Sequence, residues 1–338
     1  MKLSRDIPLA SLTTMRLGGE AKYVIEASNR EDIVQAVEFA KSKNLPWFVM
    51  GSGSNVIARG DYDGVVILNR ILEFKKISED ESSSVYEIGA GEVWDSVVER
   101  LTILKLSGVE AMSFIPGYAG ATPIQNVGAY GQEIADTLIE LEAYDTDSGE
   151  FVTLSNSDCQ FSYRNSKFKD PSKRHHIVIS LTLKLSKSRL QPPFYPSLQK
   201  YMDENFITDY SPTSVRNAVI AVRSSKLPPV DKIASAGSFF KNPIVEVDLL
   251  NKILLDFPDA PHWQMPNNKV KLAAGWLIDK AGLRNFSRYG MEVFPGNALV
   301  LTNISAKSIG DLEKFKFDII ETVRQKFGVV LEQEPENL

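Results

Sequence analysis

The stretch Ile115-Pro116-Gly117-Tyr118-Ala119-Gly120-Ala121-Thr122-Pro123-Ile124-Gln125-Asn126-Val127-Gly128-Ala129-Tyr130-Gly131 sets four glycines among small residues, with two prolines and no acidic or basic side chain. Glycine lets a backbone approach a ligand closely, and proline fixes local dihedrals so that a loop keeps its shape. Such a segment can offer a row of backbone N–H groups to an anion such as a pyrophosphate. On composition alone a turn-rich connector is the stronger reading.

A second loop of the same kind shifts that balance. Trp47-Phe48-Val49-Met50 reads as a short buried strand, and Gly51-Ser52-Gly53-Ser54-Asn55 follows it. The dinucleotide fingerprint Gly-x-Gly-x-x-Gly fails here, because its third glycine falls on Val56. Neither loop carries the Gly-Lys-Ser/Thr ending of a P-loop. Two uncharged loops rich in glycine, matching neither common phosphate motif, point to a dinucleotide held by another fold.

These two loops, with Tyr163-Arg164-Asn165-Ser166, Ala236-Gly237-Ser238-Phe239-Phe240-Lys241-Asn242-Pro243 and Leu331-Glu332-Gln333-Glu334, resemble the UDP-N-acetylenolpyruvoylglucosamine reductases of bacterial cell-wall synthesis. The five motifs stand in that family's order over nearly the whole chain. The resemblance implies an α+β fold. An FAD-binding domain of the vanillyl-alcohol-oxidase type would occupy residues 1–188, in subdomains of about 1–70 and 71–188. An α+β substrate-binding domain would follow at 189–338.

Composition sets wider bounds. The chain has 338 residues, 43% hydrophobic and 24% charged, an ordinary globular balance long enough for two or three packed units. A net charge of −5 argues against a nucleic-acid or polybasic membrane surface. No apolar run reaches the roughly 18–20 residues of a spanning helix, and the start, Met1-Lys2-Leu3-Ser4-Arg5-Asp6, lacks a signal-peptide core. One cysteine, Cys159, excludes an internal disulfide, fits a reducing cytoplasm and is better read as a small buried hydrophobe than as a nucleophile. His175, His176 and His262 make no closed zinc set. Within a strand His175 and His176 point to opposite sides, so no metal site is expected. No obligate protein partner is evident.

Along the chain, apolar spacing predicts a helix over 31–43, the strand 47–50, and a turn at Asp63-Gly64 leading into the strand 65–68. Lys75-Lys76 and residues 78–84 read as a solvated turn, 85–91 as a strand and 93–106 as a helix. Residues 138–144 and 151–154 flank a hairpin turn at Asp147-Ser148-Gly149. Strict alternation places Ile177, Ile179, Leu181, Leu183 and Leu185 on one side of a strand. Pro192, Pro193 and Pro196 mark a boundary or exposed loop. Helices follow from Ser211 through Val222, over 272–281 and over 308–327, then a last strand at 329–331 carrying Glu334 at its exit.

Residue types alone leave the chemistry open. Ser238 between Gly237 and two phenylalanines reads as a turn serine, since the Gly-x-Ser-x-Gly of a hydrolase is incomplete. Arg164 reads as an ion-pair partner, or as a planar fork for a carboxylate, and Glu334 as a solvated tail residue. The resemblance implies specific roles: Ser238 as proton donor, Arg164 on the substrate carboxylate, and Glu334 opposite it against the enol. It further implies FAD contacts at Gly51, Ser52, Gly53, Ser54, Asn55, Pro116, Gly117, Gly120, Ala121, Thr122, Gly128, Ala129 and Tyr130. Lys226 and Asn242 would meet the UDP-sugar, and Tyr195 would fold over it, as in the family's long form. Three departures stand out: Thr13-Thr14 replaces Asn-Thr, Ala121-Thr122 keeps one hydroxyl of a pair, and no basic residue follows Glu334.

The implied function is NADPH-dependent reduction of UDP-N-acetylglucosamine enolpyruvate to UDP-N-acetylmuramate, with FAD carrying hydride between two substrates that use one pocket in turn. The rivals are a flavin oxidase of the same fold and a nucleotide-sugar binding protein or transferase without redox chemistry.

Overall fold

A computed structural model describes residues 1–170, 175–229 and 232–338. The chain divides into two compact units. One holds Met1–Ile7, Ala21–Ser52 and Asp63–Ser225, the other Pro8–Glu20, Gly53–Tyr62 and Lys226–Leu338.

The first unit is built on two sheets. In the four-stranded sheet, Lys2–Pro8, Glu20–Ala27, Tyr62–Asn69 and Trp47–Met50 lie in that order, the last pair parallel. Helix α1 (Arg30–Ser42) is capped by Asn29, whose side chain accepts from Asp32 N at 2.8 Å, and it buries Ile33, Ala36, Val37 and Ala40 in a core shared with Ile25, Val65 and Ile67. The five-stranded antiparallel sheet runs Glu150–Ser155, Leu138–Asp145, His176–Ser186, Ser83–Gly89, Phe74–Glu79. Its hairpin between Asp145 and Glu150 is the one expected from Asp147-Ser148-Gly149. Helix α2 (Trp94–Ile103) buries Trp94, Val97, Val98 and Leu101 with this sheet. Helices α3 (Pro196–Glu204) and α4 (Pro212–Ser224, capped by Ser211) share a smaller core through Leu198, Met202, Val215 and Val219.

Four expectations are corrected in this unit. Asp63-Gly64 lies inside the strand Tyr62–Asn69, where Lys22 reaches Asp63 at 2.6 Å and extends the ladder. Lys75-Lys76 belongs to an edge strand, on which charged residues are the usual guard against sheet-to-sheet pairing. The alternation at 177–185 does not share one face. A register shift between Glu142 and Ala143 skips Ile179, so Val178 joins Leu181, Leu183 and Leu185 in one core while Ile177 and Ile179 enter the other. One extra residue reverses every side chain beyond it. Finally, the His175 and His176 rings lie 4.0 Å apart, because His175 precedes the strand and strand alternation does not govern it.

The second unit centres on α7 (Ile309–Phe327), which buries Leu312, Phe315, Ile319, Val323 and Phe327. Each such side chain stabilises the fold by about 1.5–3 kcal/mol. The helix starts at a reciprocal Ser308–Asp311 capping box and stops at Gly328, whose φ of 68° is left-handed. Against it pack a sheet ordered Ala234–Ser238, Val300–Asn303, Met291–Val293, Ser287–Arg288 and a smaller sheet ordered Ile244–Glu246, Lys269–Leu272, His262–Met265. Helix α5 (Val247–Asp256) was not foreseen. The helix expected over 272–281 starts later, as α6 (Ala274–Ile278), because Leu272 is still paired with His262 in the smaller sheet. The strand expected at 329–331 is an irregular extended segment, fixed by single backbone bonds on either side of Gln333; regular pairing comes later, between Glu336–Asn337 and Val56–Ile57.

Candidate active site

In the first unit, Gly51-Ser52 follows the strand Trp47–Met50, and a Cβ on Gly51 would lie 3.3 Å from the Tyr118 side chain of the 115–131 loop. The upstream strap 89–94 holds the 115–131 loop in place: Gly120 N donates to Ala90 O at 2.9 Å, Ala119 N to Glu92 O at 2.9 Å, and Trp94 N to Gly117 O at 3.0 Å. A Cβ on Gly120 would lie 2.5 Å from that of Ala90, so this approach requires glycine. Arg70 ties the loops together. Its Nη1 donates to Gly51 O at 3.0 Å while the guanidinium lies 4.8 Å from the Tyr118 ring centre. Asn69 joins the sheets, donating to Val178 O at 2.8 Å.

Met50, Gly51, Asn69, Gly120, Ala121 and Val178 line a narrow cavity of about 90 Å³ there. Carboxylates are absent from its lining, and the buried Ser52 Oγ beside it has no hydrogen-bond partner. An orphaned hydroxyl and backbone-lined walls free of negative charge fit a pyrophosphate-containing cofactor. Thr122 differs from the other loop residues: its buried hydroxyl donates to Ala119 O at 2.7 Å and so braces the loop from within. Gly117 has a φ of 127°, and Pro116, Gly128, Ala129 and Tyr130 lie on the same loop, Gly128–Ala129 pairing with Gln132–Glu133. Gly53, Ser54 and Asn55 fall in the second unit, where Gly53 O accepts from Thr14 N at 3.2 Å and Asn55 O from Glu336 N at 2.9 Å.

Arg164, in the first unit, sits half-buried at the tip of a tight turn closed by two backbone bonds between Ser162 and Asn165, at 3.0 and 3.1 Å. Its φ is 51°. A residue that sequence reading passed over faces the same region: Arg223, in the last turn of α4, donates to Phe114 O at 3.2 Å. Burial above all pulls the Arg223 guanidinium below its ordinary value; the neighbouring Arg164 charge adds to this, and Tyr130 and Asp95 oppose it. Tyr130 is itself pushed up by burial and bonds to Arg223. The half-exposed Tyr195, which opens α3, meets Tyr130 edge-on at 5.7 Å. Two guanidinium groups and two phenols thus form an anion-seeking wall. Its available sequence signal was the seven-residue spacing of Arg216 and Arg223 on one helix face. Arg216 makes a two-point bond to Asp95 at 2.6 and 3.0 Å, and Asp95 also accepts from Phe114 N at 2.5 Å.

In the second unit, Ser238 ends the strand Ala234–Ser238 and pairs with Val300 after a register shift. Gly237, with a φ of 69°, makes the shift possible and re-aims the serine. Phe239 and Phe240 are fully buried behind it. Glu334 N donates to Phe239 O at 2.9 Å and Lys241 N to Glu332 O at 2.9 Å, so the half-buried Glu334 and Ser238 come onto adjoining segments. Asn242 Oδ1 accepts from Ala274 N at 2.9 Å at the start of α6, a bond that does not use its amide N–H groups. Lys226 is exposed. Burial pushes the Cys159 thiol up to about 11, which matches its reading as an inert hydrophobe.

Comparison with known proteins gives the class first. Residues 21–155 match the FAD binding domain family, which makes the chain a flavoprotein. Residues 228–338 match the family described as UDP-N-acetylenolpyruvoylglucosamine reductase, C-terminal domain. The reductase of Photobacterium profundum is 35% identical over 99% of this chain and 95% of its own length, and that of Ralstonia nicotianae is 36% identical over 98% of each. The solved reductase of Thermus caldophilus shares the fold, with a TM-score of 0.68 at 23% identity, over 100% of this chain and 99% of that one. The chain belongs to the UDP-N-acetylenolpyruvoylglucosamine reductase family. The expected fold class, an FAD-binding domain followed by an α+β C-terminal domain, is borne out. No helix among the described residues is long and apolar enough to cross a membrane.

Proposed function

We propose that this protein reduces UDP-N-acetylglucosamine enolpyruvate to UDP-N-acetylmuramate with NADPH as the hydride source, in the making of peptidoglycan precursors. Bound FAD supplies the hydride relay between the two substrates. Gly51, Ser52, Gly53, Ser54, Asn55 and the 116–130 loop residues named above would hold it, a role supported by the partnerless Ser52 Oγ.

The observation that carries the reading is the join of Ser238 to Glu334 across the Glu334 N to Phe239 O bond. Arg164 fixes the substrate carboxylate in a two-point contact, and Glu334 stands against the developing enolate. Ser238 Oγ–H delivers the proton to the carbon bearing that carboxylate, while hydride adds to the terminal carbon, so one double bond becomes one C–H on each carbon. Arg223 adds a second positive group beside Arg164. Lys226 and the Asn242 amide hold the diphosphate, and Tyr195, as in the long form of the family, closes on the nucleotide. A cofactor part followed by a substrate part accords with the separate family matches at 21–155 and 228–338, while residues 189–225, expected on the substrate side, belong to the first compact unit. A UDP-sugar substrate and a single reduced cysteine favour a cytoplasmic location.

Anaerobic addition of NADPH should bleach the flavin, and UDP-N-acetylglucosamine enolpyruvate should then restore its colour and yield UDP-N-acetylmuramate. Bleaching by an alcohol, with reoxidation only by oxygen, would instead establish the oxidase.

A further inference from the structure

We propose that Asp145, His175 and His176 bind one divalent transition-metal ion of the zinc class. One ligand atom from each of these residues can be chosen so that all three lie within 4.8 Å of one another. Asp145 and His176 are direct partners in the antiparallel register, so their side chains leave the sheet together. His175 joins them because Thr146 N holds its carbonyl at 2.7 Å just before the strand begins, bringing its ring to 4.0 Å from that of His176.

Surrounding groups orient the three. Asp145 Oδ1 accepts from Asp147 N at 2.9 Å and Ser148 N at 3.5 Å, which sets the plane of the carboxylate. The His175 Nδ1 lies 3.7 Å from Asp147 Oδ2. The buried Phe168 ring stands edge-on to His176 at 6.3 Å. Outer partners of this kind are what fix ring orientation around a bound metal. Ligand atoms on a tetrahedral ion lie about 3.4 Å apart for bonds of about 2.0–2.1 Å. Small side-chain rotations close the present spacing to that value. Two imidazoles and one carboxylate select zinc, nickel or copper over magnesium and calcium, which prefer oxygen. Water fills the remaining coordination positions. His176 also lines the cavity beside Gly51 and Ala121, so the ion would clamp the end of the sheet next to the cofactor loops.

The test is equilibrium dialysis of the tag-free, flavin-loaded, metal-stripped protein against Zn²⁺, Ni²⁺ and Mg²⁺. About one Zn²⁺ or Ni²⁺ per chain is expected, undisturbed by excess Mg²⁺. Asp145→Asn and His176→Gln should each weaken binding at least about tenfold, with flavin content intact in Asp145→Asn, whose side chain does not line the cofactor cavity, and His262→Gln should bind as the parent does. Asp145→Asn is nearly isosteric, so one variant remains informative if the histidine change impairs folding. Less than stoichiometric binding by the parent protein, or undiminished binding in both variants, overturns the proposal.

Discussion

Glu334 donates its backbone N–H to the carbonyl of Phe239 at 2.9 Å, and with the Lys241 N to Glu332 O bond it sets the last segment of the chain beside the strand end bearing Ser238. Both groups therefore take their positions from backbone geometry. Side-chain changes at either one should leave the other in place, which makes the pair suited to dissection by substitution.

Arg70 is expected to govern cofactor retention. Its bond to Gly51 O and its place over Tyr118 join the two glycine loops. Arg70→Ala should weaken FAD binding by roughly tenfold, about 1.4 kcal/mol. Arg70→Lys should recover little of this, since an ammonium offers no planar face to the ring. Flavin release followed by fluorescence measures both. Unchanged affinity in the alanine variant would reduce Arg70 to surface packing.

Gly53 and Gly131 separate two reasons for glycine. Both have left-handed φ, 66° and 85°. A Cβ at Gly53 would lie 2.0 Å from Leu12 O, whereas at Gly131 it meets nothing within 4 Å. Gly131→Ala should cost only the left-handed penalty of about 1–2 kcal/mol. Gly53→Ala should distort the loop itself, lowering thermal stability further and releasing flavin. Equal flavin content in the two purified variants would contradict this.

Asp95 links electrostatics to the loop. Burial pushes its carboxyl up, but the Arg216 bonds and Phe114 N–H outweigh this and hold it below the usual carboxylate value. A depressed value in the folded state stabilises the protein fully above the unfolded-chain value of about 3.9, and that contribution fades as pH falls through the lower folded value. Asp95→Ala strands a buried guanidinium and should cost about 3 kcal/mol at neutral pH. Urea unfolding should show the gap between parent and variant holding to about pH 5 and narrowing in stronger acid. A gap that widens on acidification would refute the assignment.

These residues mark where sequence reading reaches and stops. The strand Trp47–Met50 and helix α7 were legible because each rests on a local apolar pattern, a short continuous run in the strand and a helical spacing in α7. The bulge at Ile179 was not, since a register shift depends on the partner strand and leaves the alternation of the sequence itself unbroken. Ser238 was legible only through its motif. Its re-aiming by Gly237 and its join to Glu334 are tertiary facts. Arg70, Asp95 and Arg223 looked like ordinary charged residues next to helices and strands. Their partners, Gly51 and Phe114, are backbone groups in loops, and no pairwise pattern in the sequence names such partners.

Ser238 supports the most discriminating experiment. Ser238→Ala removes one hydroxyl from a half-buried strand end whose backbone pairing with Val300 does not need it, so folding and flavin content should persist. Reduction of the flavin by NADPH requires no proton from this serine and should run at nearly the parent rate. The second half-reaction, with the enolpyruvyl sugar, requires that proton at the carbon beside the carboxylate. A positioned donor is worth roughly 10²–10⁴-fold, and loss of contact with the enolate adds to it. Mixing pre-reduced enzyme with the sugar nucleotide in a stopped-flow instrument isolates that step. Reoxidation should slow by at least about a hundredfold, with the saturation constant for the sugar little changed, since the diphosphate contacts proposed for Lys226 and Asn242 are untouched. Reoxidation at the parent rate would return Ser238 to the status of a turn serine and move the proton donor elsewhere.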